Sequence, residues 1–316
     1  MRLLYFLPVL CFIASAFISA DSKKVLGRHD ERAYAVTFNP DGTLLVSGSN
    51  DNSIKIWDVQ AKSLKHSFIA HSVGVKDLVF TVDGQQLISA GLDGEIRIWN
   101  TENWKRVKAL TDHSSQVLAL ATSPDGKYLF SGSDDKQIIV WELPDFKKVT
   151  SFTAHSDRVL SLNVSGNGKY LVSTGGDRTT KGTGNLKIWK TSDWSLAFEM
   201  EEETYAIQDA ALSSGGTLVL YAGNFSEAVY YKWTDQKIAA KKRITDYGIN
   251  SVALNGATAY LGTSYNGKLV EWSMKTGELK ELQGHKKDIN SLALSKDNAK
   301  IASCGTNGNV VLWKSN

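Results

Sequence analysis

Serine, histidine and aspartate recur together along this chain in a combination that nucleophilic catalysis uses. His29, Ser47 and Asp51 are followed 42 residues on by His71, Ser89 and Asp93. The same set returns as His113, Ser131 and Asp135, and as His155, Ser173 and Asp177. A last set, His285 and Ser303, has Asn307 at the carboxylate position. A hydroxyl, an imidazole and a carboxylate in contact would make the proton relay of a serine hydrolase. Two features favour scaffolding instead. The whole constellation repeats, and each serine lies within a strand pattern, with no Gly-x-Ser-x-Gly elbow to expose it. A zinc reading fares no better, because only His66 is left over among the six histidines and no further Cys or His cluster accompanies it.

The elements that would carry these residues are short β-strands. Seven tryptophans, Trp57, Trp99, Trp141, Trp189, Trp233, Trp272 and Trp313, stand at gaps of 42, 42, 48, 44, 39 and 41 residues. The second unit shows the grammar: Val75–Phe80, a turn at Asp83-Gly84, Gln86–Ala90, a tighter turn at Asp93-Gly94, then Glu95–Trp99 and Trp104–Leu110. β-rich runs separated by Asp-Gly or Asn-Gly turns predict an antiparallel meander, four strands to a unit. No stretch sustains the three-and-four spacing of an amphipathic helix. A unit of this length cannot bury its apolar face alone, so neighbours must stack, and a closed ring leaves none uncovered.

The periodicity resembles the WD-repeat β-propeller family over residues 29 to 313, most strongly in units one to four and seven. Only His285 is preceded by Gly and only Trp57 is followed by Asp, as typical members have. The resemblance implies an all-β, seven-bladed propeller of four-stranded antiparallel blades. It also implies that His, Ser, Asp and Trp form a hydrogen-bonded chain across each blade. The sets are those above, completed by Trp57, Trp99, Trp141, Trp189 and Trp313. A buried imidazole needs both nitrogens satisfied, and a turn carboxylate and a serine can do this. Units five and six depart: Tyr205 and Tyr247 stand near the histidine position, and Phe225 or Glu227 and Asn266 near the aspartate position.

Trp313 is three residues from the last, leaving no sequence for an outer strand in the seventh blade. Ser22–Gly27 matches the fourth strands elsewhere, so the N-terminal segment is expected to close the ring. Before it, Arg2 is the sole charge in Met1–Ala20, and Leu3–Ala20 is largely apolar. This is the layout of an export signal over residues 1–20, cleaved after Ala16 or Ala20, with an uncleaved membrane anchor as the alternative. Residues 21–316 are then one propeller domain, secreted or periplasmic, or anchored and facing outside. Without Arg2 the charge is +2, from 35 basic and 33 acidic residues, which gives no case for nucleic acid. Cys304 would be the sole mature cysteine, read as a buried small hydrophobe.

Function is then sought in loops. Residues just after each histidine and just before each turn carboxylate build the inner rim of one face, by register with typical family members. The candidates for binding a protein or peptide are Arg32, Tyr34, Lys76, Gln116, Asp134, Arg158, Tyr265 and Asp288. The glycine-rich insertion Asp177–Asn185 lies on the same face and has no Gly-Lys-Ser/Thr ending for phosphate. An acidic run, Glu199–Glu203, and a basic one, Lys241-Lys242-Arg243, read as solvated edges. The expectation is a non-enzymatic monomer with no metal and no cofactor, which binds one unidentified protein or peptide and meets a membrane only if the N-terminal segment stays uncleaved. The rival classes are a hydrolase or oxidoreductase with a central-channel site and a purely structural envelope component.

Overall fold

Each strand pair turns where the sequence supplies the chemistry for it. In Asn39–Thr43 the Asp41 carboxylate accepts the Thr43 amide at 2.8 Å and Gly42 takes φ of 71°, a backbone region that glycine enters at little cost. The computed structural model describes residues 23–177, 180, 182, 184–202 and 205–314. The export-signal reading of residues 1–20 therefore lies outside the described residues. The described strands form seven four-stranded antiparallel sheets, and no helix occurs among the described residues.

The sheets are blades of a closed propeller. Within a blade the strands run from an innermost strand a to an outermost strand d. In blade one these are Ala33–Phe38, Leu44–Ser49, Ser53–Asp58 and Ser63–Ile69. Blade seven has strands a to c at Ile289–Leu294, Lys300–Gly305 and Asn309–Lys314, and its strand d is Lys23–Arg28. Lys23 pairs with Trp313 and Arg28 with Asn309. The N-terminal strand thus closes the ring, covering an edge that would otherwise be open.

Apolar residues, most of them on strands a to c, form seven separate cores, one at each seam between neighbouring blades. Trp141 of blade three, for example, packs with Ile88, Ile96 and Ile98 of blade two. Gly48 shows how close the seams are: a Cβ there would meet the Val75 side chain of the next blade at van der Waals overlap. Cys304 is fully buried in the seam of blades seven and one, and burial pushes its thiol pKa upward.

One register differs from the tryptophan count. In blade five, Val219 pairs with Tyr231, as Leu45 pairs with Trp57 in blade one. Tyr231 therefore takes the repeat position and Trp233 lies two residues beyond it. The Trp233 indole nitrogen donates to the Gly216 carbonyl at 2.7 Å, and its ring packs edge-on to Tyr170.

Candidate protein-binding face

The repeated polar sets are relays inside the blades. His71 Nδ1 lies 2.9 Å from Asp93, its Nε2 lies 2.8 Å from Ser89 Oγ, and Trp99 Nε1 donates to that oxygen at 2.9 Å. The matching distances are 2.9, 2.8 and 2.9 Å for His113, Asp135, Ser131 and Trp141. In blade one they are 3.1, 2.8 and 2.9 Å for His29, Asp51, Ser47 and Trp57. The tautomer follows from the partners: a carboxylate can only accept, so Nδ1 carries the proton, and the serine hydroxyl, fed by the indole, donates to Nε2. Burial lowers the pKa of His71 and His113 despite their carboxylates, keeping the rings neutral. For Asp51, burial raises the carboxyl, but hydrogen bonds from His29 and Ser53 outweigh it and hold it below the ordinary range.

Gly91 belongs to this geometry, because a Cβ there would collide with His71 Nδ1 and Asp93 Oδ1. All five network serines are inaccessible to solvent. A substrate carbonyl cannot reach them in this arrangement.

Blade four corrects the sequence reading of Asp177. His155 Nδ1 is met by Asn185 Oδ1, while Nε2 keeps Ser173 Oγ at 2.7 Å and Trp189 donates to that serine at 2.9 Å. Asn185, opposite Gly175 at the start of strand c, supplies the acceptor in place of Asp177. An amide compensates burial less than a carboxylate does, and the His155 pKa falls to about 4. Blade seven is similar, with His285 3.4 Å from Asn307 and its pKa also about 4 through burial.

Blades five and six have no such relay among the described residues. Tyr221 and Leu261 take the serine register, opposite Val229 and Val270. Phe225 packs against Tyr221 with ring centroids 6.4 Å apart. Tyr205 and Tyr247 fall two residues past the histidine register and are exposed, so they do not replace it. Glu227 pairs instead with Lys241 at 2.7 Å, and Asn266 accepts from Thr263 Oγ1.

The loops bearing the histidines and turn carboxylates open on one face, and the rim residues sort into distinct groups. Tyr34 is flanked by two cations, the Arg32 guanidinium 5.9 Å and the Lys76 ammonium 5.2 Å from its ring centroid. Arg158 pairs with Asp134 at 3.2 Å, so these two candidates largely cancel. Gln116 is exposed, and its carbonyl accepts the Asp134 amide at 2.9 Å. Asp288 accepts the Tyr265 amide at 2.6 Å, and the Thr306 hydroxyl at 3.3 Å. Tyr265 has φ of 65° and is 73% exposed, with its ring 5.0 Å from that of Tyr247. A left-handed backbone is unfavourable for a bulky side chain, so the turn spends conformational energy holding this tyrosine outward.

The sequence reading missed a belt of polar groups on the innermost strands. Asp77, half-buried on its innermost strand, accepts the Leu78 amide at 2.8 Å and the Leu120 amide of the next blade at 2.7 Å. Asp209 accepts the Val252 amide of its next blade at 2.8 Å, and the Ser161 hydroxyl of the preceding blade. Burial pushes the Asp77 pKa up to about 6 and that of Asp209 upward. The available signal was a carboxylate in mid-strand, at Val75-Lys76-Asp77-Leu78. On the opposite face a cavity of about 640 Å³ opens beside Asp41, Asp58, Lys65 and Lys300. Its carboxylates are engaged in capping turns, Asp41 to Thr43 and Asp58 to Ala61. Among the described residues no group of three His, Cys, Asp or Glu converges to hold a metal.

Comparison with known proteins agrees with this geometry. The family described as "WD domain, G-beta repeat" matches residues 12–58, 62–100, 104–142, 146–181 and 277–314, more than half of the chain. The chain belongs to the WD-repeat family. The unmatched stretch, residues 182–276, holds the two blades without a relay. A WD repeat domain-containing protein 83 homolog from Dictyostelium discoideum is 40% identical over 62 residues, which cover 20% of this chain and 19% of that protein. The WD-repeat chain thus matches about a fifth of that relative's length. WD-repeat propellers are typically interaction scaffolds, and the buried relays of this one are consistent with that use.

Proposed function

We propose that this propeller is a non-enzymatic scaffold presented outside the cytoplasm, which captures an acidic or aromatic protein segment on its loop-bearing face. The observation that carries the reading is the Arg32–Tyr34–Lys76 cluster, where two cations converge on one tyrosine across blades one and two. A planar guanidinium recognises carboxylates in a fork, and a tyrosine ring adds contact area at low entropic cost. Presentation outside the cytoplasm rests on the apolar stretch Leu3–Ala20 and its small-residue ending.

The test is capture of the partner from the exporting compartment by the parent protein and by a variant carrying Arg32→Ala, Tyr34→Ala, Lys76→Ala and Arg158→Ala. Loss of the captured protein with an unchanged melting temperature is expected. Retention of full binding would move the site to the Tyr247–Tyr265 side of the rim or to the opposite face.

A further inference from the structure

The acidic and basic runs of the sequence are left unused by the proposed binding face, and the fold places them side by side. Strand d of blade four is Leu196–Glu202 and strand d of blade five is Lys237–Arg243, neighbouring edges on the outer wall. Their registers match level by level. Leu196 pairs with Trp189 and Ile238 with Tyr231, the equivalent position of the next blade. Two residues before that aromatic, Lys187 pairs with Glu199; the corresponding Val229 pairs with Lys241. Above these, Glu201 and Arg243 share a level, opposite Asn185 and Glu227.

All six side chains face solvent. Leu196 is 44% exposed and Ile238 57% exposed, at the same height on the wall. Among the described residues three of the charges pair near the surface, Glu199 with Lys187 at 3.3 Å, Lys241 with Glu227 at 2.7 Å and Arg243 with Asp246 at 3.0 Å. Such exposed pairs are weak and exchange readily.

We infer that this wall is a docking surface for a second copy of the chain, related by a two-fold axis parallel to the propeller axis. That operation keeps height and exchanges the two strands. Leu196 then meets the second copy's Ile238, Glu199 its Lys241 and Glu201 its Arg243, and each contact occurs twice, as an isologous interface requires. A two-fold axis tangent to the wall would instead set each strand against its own copy, acid on acid and base on base, which electrostatics opposes. The charge pattern therefore selects the axis as well as the partner.

Sedimentation velocity over about 1 to 100 μM, the range in which weak interfaces associate, tests this. The protein is expected to pass from monomer to dimer, and about 1 M salt, where the screening length is about 3 Å, should return it to monomer. A Glu199→Lys, Glu201→Lys variant and a Lys241→Glu, Arg243→Glu variant should each stay monomeric with near-parent melting temperatures. Mixed together they should form a one-to-one heterodimer, because both contacts become complementary again. A parent that remains monomeric at about 100 μM, a dimer indifferent to either reversal, or a mixture that does not associate would each overturn the inference. A reversal variant that unfolds leaves the parent's concentration and salt series to decide, and a monomer there rejects it.

Discussion

Leu261 stands in blade six at the register held by Ser303 in blade seven. The consequence falls on the tryptophan of each blade. Trp313 donates to Ser303 at 2.8 Å, whereas the indole nitrogen of Trp272, equally buried, meets no acceptor among the described residues. Trp272→Phe is therefore expected to cost less than Trp313→Phe, by about 1 kcal/mol, since the second change also strands a buried hydroxyl. Urea midpoints of the two variants check this, and equal losses would mean that the relay adds little beyond packing.

Within the relays, Asp93→Ala should cost on the order of 1–3 kcal/mol by leaving His71 Nδ1 without its acceptor. Glu227→Ala removes only an exposed pair with Lys241 and should cost less than about 1 kcal/mol. Denaturant midpoints measured side by side decide the order, and a reversed order would reject the assignment of blade five as relay-free.

Stability should respond to pH through the buried imidazoles. His155 and His285 have folded values of about 4 through burial, against an ordinary 6.5. Between those values the unfolded chain holds a proton that the folded chain lacks, so stability is present above 6.5 and is lost toward pH 4. Asp77 acts in the opposite sense: its folded value of about 6 exceeds the ordinary 3.8, so the folded state binds the extra proton and stability falls as pH rises through that window. Asp209, also raised by burial, acts with Asp77, but the four lowered histidines, His71, His113, His155 and His285, outnumber the two aspartates, so calorimetry from pH 7 to pH 5 should show a net loss of stability. Asp77→Asn should make the loss on acidification steeper, and a flat profile in the parent would show that the rings are not held neutral.

Removing Lys23–Arg28 should lower the melting temperature by at least about 5 °C or cause association, because the edge of Asn309–Lys314 loses its ladder. A truncated protein as stable and as dispersed as the parent would place ring closure elsewhere.

How much of this was legible in the sequence depends on whether a residue's role is set by spacing or by contact. The relays of blades one to three follow from spacing, since each turn has the same length and the carboxylate falls under the histidine. Asp177 misleads because the sequence inserts residues after it, and Asn185, which looks like the end of a loop, is the residue that meets His155. Trp233 misleads for a different reason. Tryptophan marks the repeat by eye, but the ladder reads only position, and Tyr231 occupies it. Tyr34 with Arg32 and Lys76 was traceable as a rim group, while the cancelling of Arg158 by Asp134 required the geometry of two loops. Asp77 and Asp209 were visible as charges in apolar strands, but their amide partners lie one blade away, across about 43 residues of chain.

The pairing of Lys23 with Trp313 gives the protein an order of assembly. The first described strand to be synthesised pairs with the last, so the ring cannot shut before the last described strand is made. During that interval it waits without a partner, and an incomplete ring presents two raw edges to its surroundings. Contacts between such distant positions form slowly, and stalled chains of this kind are prone to pair with one another. A helper that shields an unfinished edge would have its greatest effect on this chain just before the ring shuts, and little once it has.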